Sequence, residues 1–464
     1  MSTENTHFGA DKIREFLRGK SNLFFIGIGG ASMSSLAHMS KSRGFNVTGY
    51  DRTPSALTKT LEQSGIAVYY EPDTDNVKNA DAVIYTVAIP ADNPEYVYAQ
   101  AHAIPCISRA DYLGYLMSRY KRRIGISGMH GKSTTTALTA KIFLEEDGAD
   151  PTIITGAKLR EFGEAYRVGG DEYFIFEACE YKDSFLDFYP TTAVVLNIEM
   201  DHVDYFNSIE QIENSFAAFE ERTGKDGCAI LNCDDDHVMK SAQSYDGKIV
   251  TFGVKNADAD YTATNISFVK GRANFDIQHK GNHLCSATMT VPGEHLIHDS
   301  LAAAAAANES GISPTAIERG LCNFSGIERR MEWRGKVNGA DIYDDYAHHP
   351  TAIRTTLNGV KEMGYDHVIC IFQPHTYSRT ADLYNEFAQS LKIADVTILS
   401  DIYAAREINV TGVSSEALAK EIPGALYFDS FEKIAAYIKS TARENDVVII
   451  AGAGDITELA NMLI

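Results

Sequence analysis

The sequence predicts an α/β protein of three successive segments, each a largely parallel sheet flanked by helices. Three observations lead there. At 464 residues the chain is too long for one ordinary hydrophobic core, and about three domains are expected. Short continuous apolar runs recur at 23–26, 174–176, 194–196, 368–372, 396–399 and 447–450, the pattern of strands buried on both faces. Two strand positions, at 23–26 and at 124–126, run into glycine-rich turns followed by helical stretches.

Composition narrows the function classes. The apolar fraction of 44% and charged fraction of 23% are those of a globular chain. The net charge of −21 repels nucleic acid and anionic membranes, and the only basic clusters are short, at Lys121-Arg122-Arg123 and Arg329-Arg330. An acidic small-molecule substrate stays open, because a pocket can reverse the local field. The N-terminus is polar, without the apolar core of a signal peptide, and no stretch approaches the ~20 apolar residues of a membrane span. Seven scattered cysteines with no CxxC pair fit free thiols in a reducing cytoplasm, not a disulfide framework or a zinc site.

The first segment opens with the strand at 23–26 and the turn Gly27-Ile28-Gly29-Gly30-Ala31-Ser32, then a helix through Met33, Ser34 and Leu36. Glycines let a turn bring backbone N–H groups close to a phosphate at a helix N-terminus. A second strand at 46–50 ends at Asp51, where a ribose-binding acid would sit. Ser32 replaces the third glycine of the dinucleotide pattern, so the NAD signal is weak, and a ligand-free turn would look the same.

The second segment carries the strongest motif, Gly125-Ile126-Ser127-Gly128-Met129-His130-Gly131-Lys132-Ser133-Thr134. Strand, glycine-rich loop and helix follow in the order of a mononucleotide-binding P-loop. Lys132 reaches phosphates and Ser133 offers its hydroxyl to magnesium. The departure is Ile126, five before Gly131, where the general pattern has glycine. Glu177 ends the apolar strand at 174–176, and Asp201-His202 follow the strand at 194–196. Ligands gather beyond the carboxyl ends of parallel strands, so Lys132, Ser133, Glu177 and His202 are expected to converge. Singly, either Glu177 or His202 reads as a capping or surface residue.

The third segment starts near Ile327, and its apolar runs between helices predict another doubly wound sheet. Asp344-Asp345 and His348-His349-Pro350 form polar loops more typical of a site than of a core.

GMHGKSTTT, FEACEYKDSFL, LNIEMDHVDYF, GEHLIHDSLAAAA, FSGIERRMEW, DDYAHHPT, FQPHTYSRT, DIYAARE and AGAGDI, with GIGGASMS at the N-terminus, together resemble the Mur ligase family over nearly the whole chain. The resemblance implies a Rossmann-like UDP-sugar domain at 1–120, a central P-loop ATPase domain at 121–326 and a Rossmann-like amino-acid domain at 327–464. It implies an ATP-dependent amide-forming ligase acting on UDP-N-acetylmuramate and L-alanine through an acyl phosphate. The expected metal is Mg²⁺, with Mn²⁺ as a substitute, on Ser133, Glu177 and His202. It further implies that Gly128, Met129, His130, Gly131, Lys132, Ser133, Thr134, Arg330 and Asp345 bind ATP. Gly27, Gly29, Gly30, Ser32, Met33, Ser34 and Asp51 would bind the UDP-sugar, and Tyr346, His348, Arg379 and Arg406 the amino acid. Catalysis would fall to Lys132, Glu177, His202, Arg330, His348 and Arg379, with His348 titrating near neutrality to take the amine's proton or to orient a water that does. The assembly would be a monomer or a homodimer.

The short EYKDSFLDFYPT favours the alanine-adding member over the similar ligase that recycles a preformed tripeptide. Three positions depart from the family pattern: Leu296 and Asp299 where many members have asparagine, and Thr376 where some have arginine. A dinucleotide-dependent oxidoreductase would leave the P-loop without a role. A non-catalytic P-loop module would not need the histidine and arginine loops of the third segment.

Overall fold

The structure is a computed structural model that describes residues 3–159, 163–202, 205–405 and 407–464. These divide into two compact units. Unit 1 holds residues up to 262 with 279–281 and 301–320; unit 2 holds 263–278, 282–300 and 321–464. The expected second segment is thus shared, since 263–278, 282–300 and 321–326 fall in unit 2.

Unit 1 begins with α1 (Ala10–Phe16), β1 (Asn22–Ile26), α2 (Ala31–Ser42), β2 (Asn46–Tyr50), α3 (Ala56–Gln63), β3 (Ala67–Tyr69), α4 (Thr74–Val77), β4 (Ala82–Tyr85), α5 (Pro94–Ala101), β5 (Cys106–Ser108) and α6 (Arg109–Met117). The five strands form a parallel sheet in the order β3-β2-β1-β4-β5. β1 at its centre is fully buried from Leu23 to Ile26, which explains the unbroken apolar run.

The chain continues through β6 (Arg122–Ser127), α7 (Lys132–Leu144), β7 (Thr152–Leu159), β8 (Glu164–Arg167), β9 (Tyr173–Glu177), β10 (Thr192–Val195), β11 (Cys228–Asn232) and β12 (Lys248–Gly253). These order as β12-β11-β10-β6-β9-β7-β8, parallel except for β8. β6 therefore lies between β9 and β10. That placement brings the glycine-rich loop beside both acid-bearing strand ends, as expected at the carboxyl edge of a parallel sheet.

β13 (Tyr261–Val269) starts in unit 1, where Tyr261 and Thr262 pair with Phe252 and Gly253. β14 (Arg272–His279) and β15 (Asn282–Thr288) follow. The third sheet lies in unit 2: β16 (Glu332–Val337), β17 (Ala340–Asp345), β18 (Val368–Phe372), β19 (Val396–Leu399), β20 (Leu426–Tyr427) and β21 (Val447–Ala451). Their order is β16-β17-β21-β18-β19-β20, parallel apart from the β16–β17 hairpin. The three predicted sheets are all present, so the chain has the three-part α/β fold read from its apolar runs. Among the described residues no helix is long and apolar enough to cross a membrane.

Candidate active site

In unit 1 the loop after β6 is held from two sides. Gly131 sits at φ 82° as the N-cap of α7, a conformation that favours glycine. Gly128, at φ 139°, packs so close to β10 that a Cβ would meet the Leu196 Cβ at 2.9 Å. The side chain of Asn197 clamps the backbone of His130, accepting from its N–H at 2.9 Å and donating to its carbonyl at 3.1 Å. The His130 ring pairs with Glu199.

Lys132 Nζ points back into this loop, donating to the Gly128 and Met129 carbonyls at 2.6 and 3.2 Å. It also pairs with Glu180 Oε2 at 3.0 Å. His202 Nε2 meets the other oxygen of Glu180 at 3.1 Å. The Glu180 side chain is 1% exposed. Burial alone would lower the Lys132 pKa and raise that of Glu180. Their mutual attraction outweighs it in both, so the ammonium is shifted up and the carboxyl down. Sequence reasoning singled out Glu177 and missed Glu180, whose signal was a second acid three residues further along the same motif.

The turn carrying Glu180 is strained. Lys182 and Asp183 both sit at φ 53°, and His202 at φ 51°. Asp183 is pinned by the Tyr205 hydroxyl at 2.6 Å and by Ser215, which keeps the conformation in place.

Ser133 Oγ donates to Glu177 Oε2 at 2.7 Å, and that oxygen also accepts from Gly156 N at 2.9 Å. A side chain at Gly156 would meet the Glu177 carboxylate at 2.6 Å, so the cradle depends on glycine there. A hydroxyl and a carboxylate side by side at the loop suit an oxygen-preferring cation. His202 is not part of this pair. It is joined to Glu180, and among the described residues no group of three or more His, Cys, Asp or Glu is arranged around a metal position. Burial pushes the nearby Cys179 thiol up to about 11, which leaves it unreactive at neutral pH.

Of the expected UDP-sugar residues, Gly27 has φ 81° and starts the turn before α2. Asp51 Oδ2 accepts from Gly29 N at 2.8 Å, so this acid braces the turn itself. Met33 and Ser34 are 2% and 3% exposed, and Ser34 Oγ bonds the Ala31 carbonyl. What these two can offer a ligand is backbone, not side chain. Gly30 is the N-cap of α2, and Ser32 lies in its first turn. Thr134 is buried in the first turn of α7.

Unit 2 gathers a second set of groups beyond β17 and β18. His348 Nδ1 lies 2.8 Å from the Tyr346 carbonyl, so Nδ1 carries the hydrogen and Nε2 is the open acceptor. Its ring is 5.1 Å from that of Tyr346 and 6.0 Å from that of His375. Enclosure pushes its pKa down to about 3, against the Tyr346 carbonyl and helped by Arg379, Arg330 and His375. This corrects the expectation that His348 titrates near neutrality: it is a fixed neutral imidazole. Burial, with Arg330 and His298, likewise holds His295 near 4.

The loop after β18 is shaped by its neighbour after β19. Thr376 N donates to the Tyr403 carbonyl and Tyr403 N to that of Pro374, both at 2.9 Å. Glu407 accepts from Ser378 N at 2.9 Å. Thr376, at φ 67°, caps the helix Tyr377–Asp382. That helix presents Arg379, half-buried and with no carboxylate in ion-pair range among the described residues. His375, missed in the sequence, is a half-buried imidazole whose pKa burial and Arg379 lower. Arg406 lies outside the described residues.

Arg330 lies over the Tyr346 ring, its guanidinium carbon 5.4 Å from the centroid. Asp345 is buried and fully engaged. It accepts from Ala347 N at 2.8 Å, Met331 N at 3.3 Å and Thr356 Oγ1 at 3.2 Å, so it shapes both loops beside it. Leu296 is 2% exposed and belongs to the interior, which accounts for an apolar residue there.

The chain matches the Mur ligase family, catalytic domain, over 22–121, the Mur ligase middle domain over 126–307 and the Mur ligase, glutamate ligase domain over 329–454. It is 43% identical over 444 residues to the UDP-N-acetylmuramate–L-alanine ligase of Clostridium novyi, covering 95% of this chain and 96% of that one. The enzyme of the same name from Caldicellulosiruptor saccharolyticus is 42% identical, with 96% and 98% covered. Among solved structures, the UDP-N-acetylmuramate-alanine ligase of Thermotoga maritima superposes with a TM-score of 0.80 at 26% identity, covering 95% of this chain and 98% of that one. From its glycine-rich loop to its C-terminal arginine and histidine loops, the chain belongs to the Mur ligase family.

Proposed function

We propose that this protein is an ATP-dependent ligase that joins L-alanine to the lactyl carboxylate of UDP-N-acetylmuramate, a step of peptidoglycan precursor synthesis in the cytoplasm. The observation that carries the reading is the pairing of two different sites in one chain. A phosphate-binding loop alone describes an ATPase. Arg379, near enough to His348 to lower its pKa and without a carboxylate in ion-pair range among the described residues, and the open Nε2 of that imidazole add what a small amino acid needs: a cation for its carboxylate and an acceptor for its amine. The segments 1–120, 121–326 and 327–464 then serve the UDP-sugar, ATP and the amino acid.

A carboxylate is a poor acyl donor because its leaving group would be an oxide. In the proposed reaction a lactyl oxygen attacks the terminal phosphorus of ATP, and the bond to ADP breaks. The alanine amine then attacks the acyl carbon. The tetrahedral intermediate collapses, and phosphate leaves with one former carboxylate oxygen. Lys132 holds the terminal phosphate, exchanging its bond to Glu180 for bonds to phosphate oxygens. Ser133 and Glu177 would hold a divalent cation, which would supply positive charge against the gathered phosphates. His202 acts through Glu180. Arg330 is a further cation for the ATP phosphates, and Arg379 takes the alanine carboxylate as a planar fork. His348, with a pKa near 3, is too weak a base to retain the ammonium's proton. It orients the amine through Nε2 while the proton passes to solvent.

The test is phosphate release from ATP with UDP-N-acetylmuramate and each of L-alanine, glycine, L-serine and the tripeptide L-alanyl-γ-D-glutamyl-diaminopimelate. Release that depends on L-alanine supports the reading. Release with the tripeptide alone would move the chain to a recycling role, and release with no amine dependence would end it as a ligase.

A further inference from the structure

Arg109 has no role in the sequence pattern, yet it occupies an unusual position. It is the first residue of α6, and its Nη1 donates to Ser32 Oγ at 3.2 Å. Among the described residues that is its one side-chain hydrogen bond from five donors, and no carboxylate lies in ion-pair range. Asp187, the acid whose charge it feels, is already joined to His7 at 2.6 Å. The N-terminus of α2 beside it carries no capping side chain and no acidic residue in its first turn. A helix N-terminus and a guanidinium are both positive, and here they share Ser32. Burial pulls the guanidinium's pKa down, so keeping it there unpaired costs stability.

We propose that Arg109 is the cation that binds the diphosphate of the nucleotide sugar, closing over the Gly27–Gly30 turn together with the Ser32 hydroxyl. The inference rests on the UDP-sugar reading above. A planar fork and the free N–H groups of a helix start together match the oxygens of a diphosphate, which a glycine turn without a cation holds more weakly. Arg109 also lies close enough to feel Cys179, the neighbour of Glu180. A diphosphate held there would present its sugar toward the strand end that carries Lys132's partner.

The experiment uses the whole chain with Arg109→Ala and Arg109→Lys. The KM for UDP-N-acetylmuramate should rise roughly 10- to 100-fold in the alanine variant, as expected for lost charge-assisted hydrogen bonds, with the KM for ATP unchanged. The lysine variant should recover only part of the loss and covers the case in which the alanine variant does not fold. UDP-N-acetylglucosamine has the same diphosphate but no lactyl acid, and as a competitive inhibitor it should weaken by the same factor. An unchanged KM overturns the proposal, as does a rise shared with ATP. A loss confined to the lactyl substrate also overturns it, by placing Arg109 on the carboxylate. If the wild-type chain turns over no amine, calorimetry with UDP alone still decides the matter: binding by the wild type that Arg109→Lys weakens supports Arg109, and equal binding refutes it.

Discussion

The two candidate sites handle charge in opposite ways. In unit 1 every cation around the glycine-rich loop has an internal partner: Lys132 and His202 share Glu180, and His130 meets Glu199. In unit 2 the imidazoles of His348 and His375 are driven toward neutrality, and Arg379 has no carboxylate in ion-pair range among the described residues. On the proposed function, the first site would exchange an ion pair for phosphate. The second would take the missing negative charge from an amino-acid carboxylate. A nucleotide with several negative charges can displace a carboxylate from Lys132, whereas a small zwitterion has too little binding energy to displace a resident partner.

The largest expected effect lies at the ion pair. Lys132→Met should lower the rate of phosphate release by about 10²–10³ or more, since it removes the cation facing the transferred phosphate. It also leaves the buried Glu180 carboxylate with His202 but without its ammonium partner, which should cost roughly 3 kcal/mol in stability. Adding Glu180→Gln should restore much of the melting temperature and none of the activity. A single variant as stable as the wild type would mean that the pair does not hold the loop.

Next comes the uncompensated arginine. Arg379→Ala should raise the KM for alanine about 10- to 100-fold and leave that for ATP unchanged, and Arg379→Lys should not restore it. A rise in the KM for ATP alone would break the contrast between the two sites.

Acidification separates the sites further. His348 and His295 have folded pKa values of about 3 and 4, below the ordinary 6.5. Between those values the unfolded chain binds protons that the folded chain does not. The contribution of these two imidazoles is therefore full above pH 6.5 and falls as the pH drops toward 3–4. His348→Asn should flatten that decline in a melting series and lower kcat at every pH, with no new inflection near neutrality. An inflection near pH 6.5 that disappears in the variant would show that His348 titrates after all.

The smallest effect is expected at Asn197. Asn197→Ala removes both hydrogen bonds to the His130 backbone and should weaken ATP binding by about 10-fold, at roughly 1–1.5 kcal/mol. Titration with a non-hydrolysable ATP analogue measures it.

The three sheets were legible because buried parallel strands cannot alternate: β1, β9, β10, β18, β19 and β21 each show as an apolar run. The glycine-rich loop was legible because Gly128 and Gly131 adopt backbone conformations that other residues resist. Glu180, Asn197 and His375 were not singled out, since each acts through a contact across strands or loops that spacing along the chain does not encode. The depressed pKa of His348 was hidden for the same reason, because enclosure is a property of the folded loop. Asp51 and Asp345 read as ligand-binding acids, but their carboxylates are occupied by backbone N–H groups only the fold brings near. Nor did the sequence show that the second segment is divided between two compact units.

The central claim is that ATP activates the lactyl carboxylate and the amine then displaces phosphate. The most direct test supplies UDP-N-acetylmuramate labelled with oxygen-18 in that carboxylate, together with ATP and L-alanine, and follows the released phosphate by mass. One labelled oxygen per amide formed is the predicted result. Unlabelled phosphate accompanying amide formation would contradict the acyl phosphate and the roles assigned here to Lys132, Ser133 and Glu177.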